Sequence, residues 1–342
     1  MYESFFGLSG NPFQLSPDPA FYYGSPVHRR AYAYLEYGLY QGEGFIVITG
    51  EVGAGKTTLV RNLLAHVDPR QVTAAHLVST NLDADELLRA VASALGLATT
   101  AADKPALLAD LERHLRRLAG ERRHVLLVVD EAQNLTARAV EELRMLSNYQ
   151  LGGKALLQSF LVGQPELRKT LQGPDMQQFR QRVIASYHLG ALDKNESQAY
   201  VEHRLKQVGW KRDPAFDDDA FEAIYAFTAG IPRRINLVCN RLLLAAFLSE
   251  KHDITAADVE LVARELREEF GVVSASPEDS TGPAAPRPEA APAKAASAET
   301  EGSEAAESGD GLQTRVARLE TTHRQLQRLL GRVLRILEPR PR

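Results

Sequence analysis

The eight residues Gly50-Glu51-Val52-Gly53-Ala54-Gly55-Lys56-Thr57 leave this chain few folds to choose from. They follow a short apolar run rich in β-branched residues, Phe45-Ile46-Val47-Ile48-Thr49, and precede a helical pattern from Thr58 to His66. Strand, glycine loop and helix in that order are the context in which G-x-x-x-x-G-K-S/T cradles phosphate. Glycines let successive backbone N–H groups turn inward, and the helix N-terminus adds partial positive charge. In such a loop Lys56 reaches the β- and γ-phosphates, and Thr57 offers its hydroxyl to Mg²⁺. A tight glycine turn with no ligand would leave the Lys-Thr pair without a purpose. The pattern predicts a nucleoside triphosphate site.

A second signal lies downstream in His124-Val125-Leu126-Leu127-Val128-Val129-Asp130-Glu131. A continuous apolar run ending in acid is how a strand buried on both faces delivers a carboxylate to the sheet edge. Asp130 is placed to hold Mg²⁺ through its water shell. Glu131, directly after it, points to a base that polarises water, hence to hydrolysis. An acidic cap on the next helix accounts for either acid alone and poorly for the pair.

Strand and helix patterns alternate around these two motifs. Residues 72–78 read as a strand, 83–95 and 106–119 as helices, and 136–149 as a helix with Thr136 as N-cap. A strand over 156–162 ends at Gly163-Gln164-Pro165, where the Gln164 amide either senses the γ-phosphate or merely makes the turn. A last strand over 183–189 follows Phe179-Arg180-Gln181-Arg182, two arginines that suit a finger into a neighbour's nucleotide or a solvated surface. Residues 191–270 show no strand pattern, only helices over 195–208, 218–229, 232–250 and 255–269. Between the second and third lies Gly230-Ile231-Pro232-Arg233-Arg234. An arginine on the first turn of a lid helix, Arg233, can swing onto the γ-phosphate. A purely structural arginine is the other reading, and it suits Arg234 better.

The two ends of the chain have a different character. Residues 1–40 are rich in aromatics and turns (Phe5, Phe6, Asn11-Pro12-Phe13, Asp18-Pro19, Tyr22-Tyr23), with a helical pattern over 28–40. Such a segment either covers an adenine ring or packs on the core. Residues 274–311 carry eight acids and two bases, net −6, in a run of Ala, Pro, Ser, Glu and Gly without aromatics. They cannot bury enough apolar surface to offset ordering entropy, so they read as a disordered tether. Residues 312–342 carry eight arginines and two acids, net +6. Leu312, Val316, Leu319, His323, Leu326, Leu330, Val333 and Leu337 step by four and three, a heptad seam. Its strict spacing and lack of aromatics favour a coiled-coil partner over a membrane surface.

Composition narrows the setting. One cysteine, Cys239, excludes an internal disulfide framework and fits a reducing compartment. No apolar run approaches the ~20 residues of a spanning helix, and the first residues lack the basic start of a signal peptide. The net charge of −4, with no basic stripe over residues 1–270, disfavours DNA as a partner.

Taken together, the phosphate loop, Asp130-Glu131, Gly163-Gln164-Pro165-Glu166-Leu167 and Gly230-Ile231-Pro232-Arg233-Arg234 resemble the AAA+ ATPases of bacterial secretion loci, the general secretion pathway protein A group. The opening, with Asn11-Pro12-Phe13, Asp18-Pro19 and Gly50-Glu51-Val52-Gly53, is most similar to the branch encoded beside exosortase and PEP-CTERM exopolysaccharide genes. The match covers roughly residues 1–270. It implies an α/β fold, a P-loop core with a five-stranded parallel sheet in the order 5-1-4-3-2 and a helical lid. The divisions follow as 1–40 (a segment on the nucleotide site), 41–190 (core), 191–272 (lid), 273–311 (linker) and 312–338 (amphipathic coiled-coil helix). It also implies ATP and Mg²⁺ as cofactors, with Gly50 to Thr58 as Walker A, including Ala54, Gly55, Lys56 and Thr57. Asp130 and Glu131 become Walker B, Gln164 sensor one, Arg233 sensor two, and Arg182 or Arg180 the finger, supplied in trans within a homo-oligomer. The setting is a cytoplasmic ATPase, peripheral to a membrane-embedded secretion or polysaccharide machine, with a protein partner on the C-terminal helix. Secretion-pathway relatives continue into a membrane anchor and a peptidoglycan-binding module that this sequence lacks, so a direct cell-wall role is not implied. Two alternatives of other classes stand beside this reading: a DNA-dependent transposition-helper ATPase, and a nucleotide-binding scaffold without turnover.

Overall fold

Five parallel strands form the central sheet: β1 (Phe45–Gly50), β2 (Val72–Val78), β3 (His124–Asp130), β4 (Leu157–Gly163) and β5 (Val183–Leu189). Their spatial order is 2-3-4-1-5, which from the other edge reads 5-1-4-3-2, as the family resemblance implies. The computed structural model describes residues 1–16, 18–78, 81–98 and 103–270, which belong to one compact unit, Met1–Ser276. The expected tether over 273–311 and heptad helix over 312–338 lie outside the described residues.

The inner strands are covered on both faces, which is why β1, β3 and β4 are buried almost throughout. Alternate residues serve opposite layers. Phe45, Val47, Val125, Leu127 and Val129 face one layer, while Ile46, Ile48, Leu126 and Val128 face the other. After the N-terminal α1 (Tyr2–Phe5), helices α2 (Pro26–Gln41), α3 (Lys56–His66), α4 (Ala84–Ala94), α5 (Lys104–Gly120), α6 (Ala137–Leu146), α7 (Pro165–Gln172) and α8 (Gln177–Arg180) accompany the sheet in chain order. Leu87, Leu88 and Val91 of α4, Leu111 and Leu115 of α5, and Val140 and Leu143 of α6 cover the first face. Ala31 and Leu35 of α2, with Leu59 and Leu63 of α3, cover the second. Gly38 lets α2 lie close on the sheet: a Cβ there would sit 2.4 Å from Ile46 Cγ1. The glycine costs a helix interior about 1 kcal/mol, and the close approach it permits brings Gln158 Nε2 of β4 within 2.5 Å of Gly38 O.

The helices of the expected lid are α9 (Lys194–Gln207), α10 (Asp218–Thr228), α11 (Pro232–Leu248) and α12 (Ala256–Phe270). Its start is set by Asp193 and Glu196, whose side chains each accept from the other residue's backbone N–H in a capping box. The expectation of a strand-free lid needs correction. Ala215–Phe216 pairs in parallel with Asp253–Ile254, and two N–H···O bonds, Ala215 to His252 and Asp217 to Ile254, tie the α9–α10 loop to the α11–α12 loop. Two residues per strand are too few to show a period-two pattern. A second short ladder, Gln150–Leu151 with Lys154–Ala155, ends α6 at Leu146, short of the expected 149, because Gly152 and Gly153 turn the chain at positive φ. Among the described residues no helix is long and apolar enough to cross a membrane.

The N-terminal segment divides between two supports. Tyr2, Phe6, Leu8 and Phe13 sink into the lid cluster with Val201, Ile235, Leu242 and Leu243. Residues 18–28 then cross from lid to core.

Candidate nucleotide-binding site

The loop between β1 and α3 turns on Gly53 (φ 84) and Gly55 (φ 95), left-handed conformations that glycine adopts without a Cβ penalty. Gly55 is the N-cap of α3, so Lys56 and Thr57 stand on its first turn, whose orphan N–H groups face the loop. Lys56 is buried, and its Nζ donates to Gly50 O (2.7 Å) and Glu51 O (2.9 Å). Desolvation lowers its pKa, against the raising influence of Glu131, Asp130, Glu51 and Glu166. A partly dehydrated ammonium held only by neutral carbonyls is a strong seat for an anion.

At the end of β3, Asp130 accepts from Thr57 Oγ1 at 2.7 Å and from Glu131 N at 2.9 Å. Glu131 adopts φ 53, ψ 36, which swings its carboxylate away from the strand line. Its Oε2 accepts from Gln133 Nε2 at 2.5 Å and from Gln164 Nε2 at 3.3 Å. Gln164, at the end of β4 beside β3, also donates its backbone N–H to Gln133 Oε1 at 3.0 Å. The register of two neighbouring strands therefore brings the two motif ends together.

The opposite wall comes from the lid and the N-terminal segment. Gly53 O accepts the N–H of Arg233 at 3.2 Å, so the loop satisfies one orphan donor of α11. The approach is tight: a Cβ on Gly53 would lie 2.3 Å from Arg233 Cβ. His28 is buried beneath the loop, with Nε2 donating to Ala54 O at 3.0 Å and Nδ1 accepting from Ser25 Oγ at 2.9 Å, the tautomer those partners require. Burial lowers its pKa, keeping it neutral. Further out, Arg204 is 6% exposed with no carboxylate beside it among the described residues. It donates to Pro12 O (2.6 Å), Gln14 O (3.2 Å) and Tyr200 OH (3.0 Å), and lies 4.7 Å over the Phe21 ring. Tyr200 OH donates onward to Asn236 Oδ1 at 2.9 Å. Burial pushes Tyr22 on this wall up to about 12.

Between the walls lies a cleft of about 220 Å³. Of the residues singled out in the sequence, Val52, Gly53, Gly55, Lys56, Thr57, Thr58, Glu131, Gln164 and Arg233 line it, with Tyr22 and Tyr23 on the aromatic side. Asp130 sits behind Thr57 through their hydrogen bond. Arg180 and Arg182 are not among its lining. Arg180 donates to the carbonyls of Leu171 and Gly173, while Arg182 donates to Ser147 Oγ and Asn148 Oδ1. Sequence reasoning missed Gln133, His28, Arg204 and Asn236. For Arg204 a signal existed, since it shares a helix face with Tyr200, Val201 and Leu205, and a charge amid apolar positions marks a buried cation.

The AAA domain family matches residues 39–171. The general secretion pathway protein A of Aeromonas hydrophila is 43% identical over 271 residues, 78% of this chain and 48% of that protein. The match thus spans about half the length of that relative. Among solved structures, Cdc6p from Pyrobaculum aerophilum superposes with a TM-score of 0.60 at 18% identity, over 77% of this chain and 70% of that one. The Aeropyrum pernix ORC2 protein in its ADP form gives 0.55 at 19% identity, over 75% and 74%. At such identities the likeness speaks for the fold alone. Residues 39–171 thus match the AAA domain family, and the α/β architecture around them resembles the P-loop AAA+ fold.

Proposed function

We propose that this chain binds ATP with Mg²⁺ and hydrolyses it to ADP and phosphate, as an accessory ATPase of a bacterial secretion or exosortase-associated exopolysaccharide system. The observation that carries the reading is the meeting of Lys56, Thr57, Asp130, Glu131 and Gln164 at one end of the sheet. Thr57 and Asp130 are hard oxygen donors that fit Mg²⁺. Among the described residues no group of three His, Cys, Asp or Glu is placed to hold a metal ion by itself. Thr57 and Asp130 would hold Mg²⁺ there, and it would supply neutralisation of negative charge on the phosphates.

The chain's own groups then divide the work. Lys56 exchanges the carbonyls of Gly50 and Glu51 for phosphate oxygens. Glu131 takes a proton from the attacking water as the new P–O bond forms and the β–γ bridge breaks, releasing ADP. The Gln164 amide, already on Glu131, senses the γ-phosphate. Arg233 reaches the phosphates on lid closure, with residues 18–28 covering the base. A neighbouring copy supplies the finger. Arg182 is the better candidate, because its acceptors are side chains that a rotamer change releases, whereas Arg180 is fastened to backbone carbonyls. The secretion setting rests on the likeness to general secretion pathway protein A. The arginine-rich residues 312–342 serve a protein partner, so truncation at residue 273 should leave basal turnover intact and abolish that recruitment.

Phosphate release against protein concentration tests the reading. Release should require Mg²⁺, and specific activity should rise with concentration. A finger in trans contributes on the order of 10³–10⁵ in rate, so Arg182→Ala should remove the rise while ATP affinity stays near wild type. Specific activity independent of concentration, with Arg182→Ala unaffected, would discard the trans arrangement. Absence of Mg²⁺-dependent release would discard the enzyme.

A further inference from the structure

Glu131 needs a fixed direction to act on water, yet it sits in a left-handed turn outside the strand, where β3 no longer holds it. What holds it is the side chain of Gln133. The Gln133 amide has both ends used: Oε1 accepts the backbone N–H of Gln164, and Nε2 donates to Glu131 Oε2. The first bond orients the second. Because a backbone N–H can only donate, Gln133 must turn its oxygen to Gln164 and its NH₂ to Glu131. Space enforces the same fit, since a Cβ on Gly163 would lie 2.9 Å from Gln133 Oε1. Glu131 Oε2 thus receives two amide donors, from Gln133 and Gln164. Its other oxygen, Oε1, has no hydrogen bond to a described residue, and Glu131 lines the cleft.

We propose that Gln133 is a positioning residue: it locks the Glu131 carboxylate with Oε2 on the protein and Oε1 toward the attacking water, and couples that carboxylate to the end of β4. This inference rests on hydrolysis being the chain's activity. Movement of the β4 end when Gln164 meets a γ-phosphate is passed through the Gln133 amide to Glu131, so water activation follows the state of the nucleotide.

Two substitutions separate this role from a structural one. Gln133→Ala removes both bonds. Gln133→Glu keeps an acceptor for Gln164 N–H but sets a carboxylate against Glu131. Single-turnover ATP hydrolysis should slow on the order of 10–100-fold in both variants, a part of the 10²–10⁴ that a positioned base contributes. KM and the affinity for a nonhydrolysable ATP analogue should stay within about twofold, since ground-state binding is untouched. In a Glu131→Gln background, adding Gln133→Glu should change the rate less than about threefold, because residues acting as a unit are not additive. Gln133→Glu at the wild-type rate, or a loss that multiplies fully with that of Glu131→Gln, would overturn the proposal and leave the ATPase reading intact. A wild-type protein that turns over no ATP would overturn both.

Discussion

The two walls of the cleft are built on different principles. On the core wall, every functional group stands at a strand end or a first helical turn, within a few residues of a motif: Lys56, Thr57, Asp130, Glu131 and Gln164. Main-chain geometry aims them, and the partners they hold are mutual. On the lid wall, the contacts join residues far apart in the chain. Arg204 holds Pro12 and Gln14 across about 190 positions, and Tyr2 OH donates to Asn240. The core wall is prepared for a charge that arrives from outside, with a desolvated lysine facing the cleft. The lid wall carries a buried cation whose hydrogen bonds go to neutral oxygens of its own chain. One wall gathers charged and amide side chains around the glycine loop, and the other holds a strap in place. They meet where Arg233 N–H donates to Gly53 O and where His28 donates to Ala54 O.

The largest break in this contrast comes from the core wall. Lys56→Ala should abolish nucleotide binding, read by calorimetry with an ATP analogue. Glu131→Gln should retain binding and slow turnover by about 10²–10⁴, the contribution of a positioned general base. If both variants lose binding equally, the core wall is a folding element and not a set of separable roles.

A smaller effect is expected where the walls meet. Gly53→Ala places a Cβ 2.3 Å from Arg233 Cβ at φ 84. The left-handed conformation alone costs a non-glycine residue roughly 1–2 kcal/mol, and relief of the clash must push α11 from the loop. Nucleotide affinity should fall at least about tenfold. Unchanged affinity would mean that the lid does not need its contact with the loop.

Arg204→Met tests the lid wall itself. It removes hydrogen bonds from a buried cation to Pro12 O and Gln14 O, each worth about 1.5–3 kcal/mol for a charged donor before the relief of desolvation. Net destabilisation of about 2 kcal/mol is expected by denaturant unfolding. Limited proteolysis should then cut within residues 1–16 well before the core. If the catalytic rate falls as steeply as in Glu131→Gln, the lid wall takes part in the chemistry and the contrast fails.

The mildest test is pH. His28 is neutral when folded because burial lowers its pKa, while the unfolded chain titrates near 6.5. The unfolded state therefore binds more protons as pH falls below about 6.5, so stability is full above that value and declines below it, by at most about 1.4 kcal/mol per unit. His28→Gln should flatten part of that slope in thermal melts between pH 7 and 5. His203, also held low by burial, accounts for part of what remains. An unchanged slope would show that His28 is not the titrating link between strap and loop.

The contrast also explains what could be read beforehand. The phosphate loop, the paired acids and the sheet strands are local signals: glycine spacing, an apolar run ending in acid, and a positive-φ turn that only a few residues tolerate. Their positions along the chain also fix their positions at the sheet edge, because parallel strands with right-handed crossovers present all their C-terminal ends on one side. Even the β5 boundaries, 183–189, follow from the local pattern. The lid's two-residue strands were illegible because nothing so short carries a period.

The sequence by itself determined the core wall: which residues form the glycine loop, which acid precedes which at the strand end, and that a helical segment follows the sheet. Only the tertiary structure decided that Phe13 packs under the lid, that Arg204 clasps the N-terminal strap, and that the Gln133 amide spans from Glu131 to Gln164. The physical reason is separation. A contact between residues a few positions apart is encoded in their spacing. A hydrogen bond between positions 12 and 204 exists only once the N-terminal segment has packed into the helical cluster formed by residues about 190 positions later.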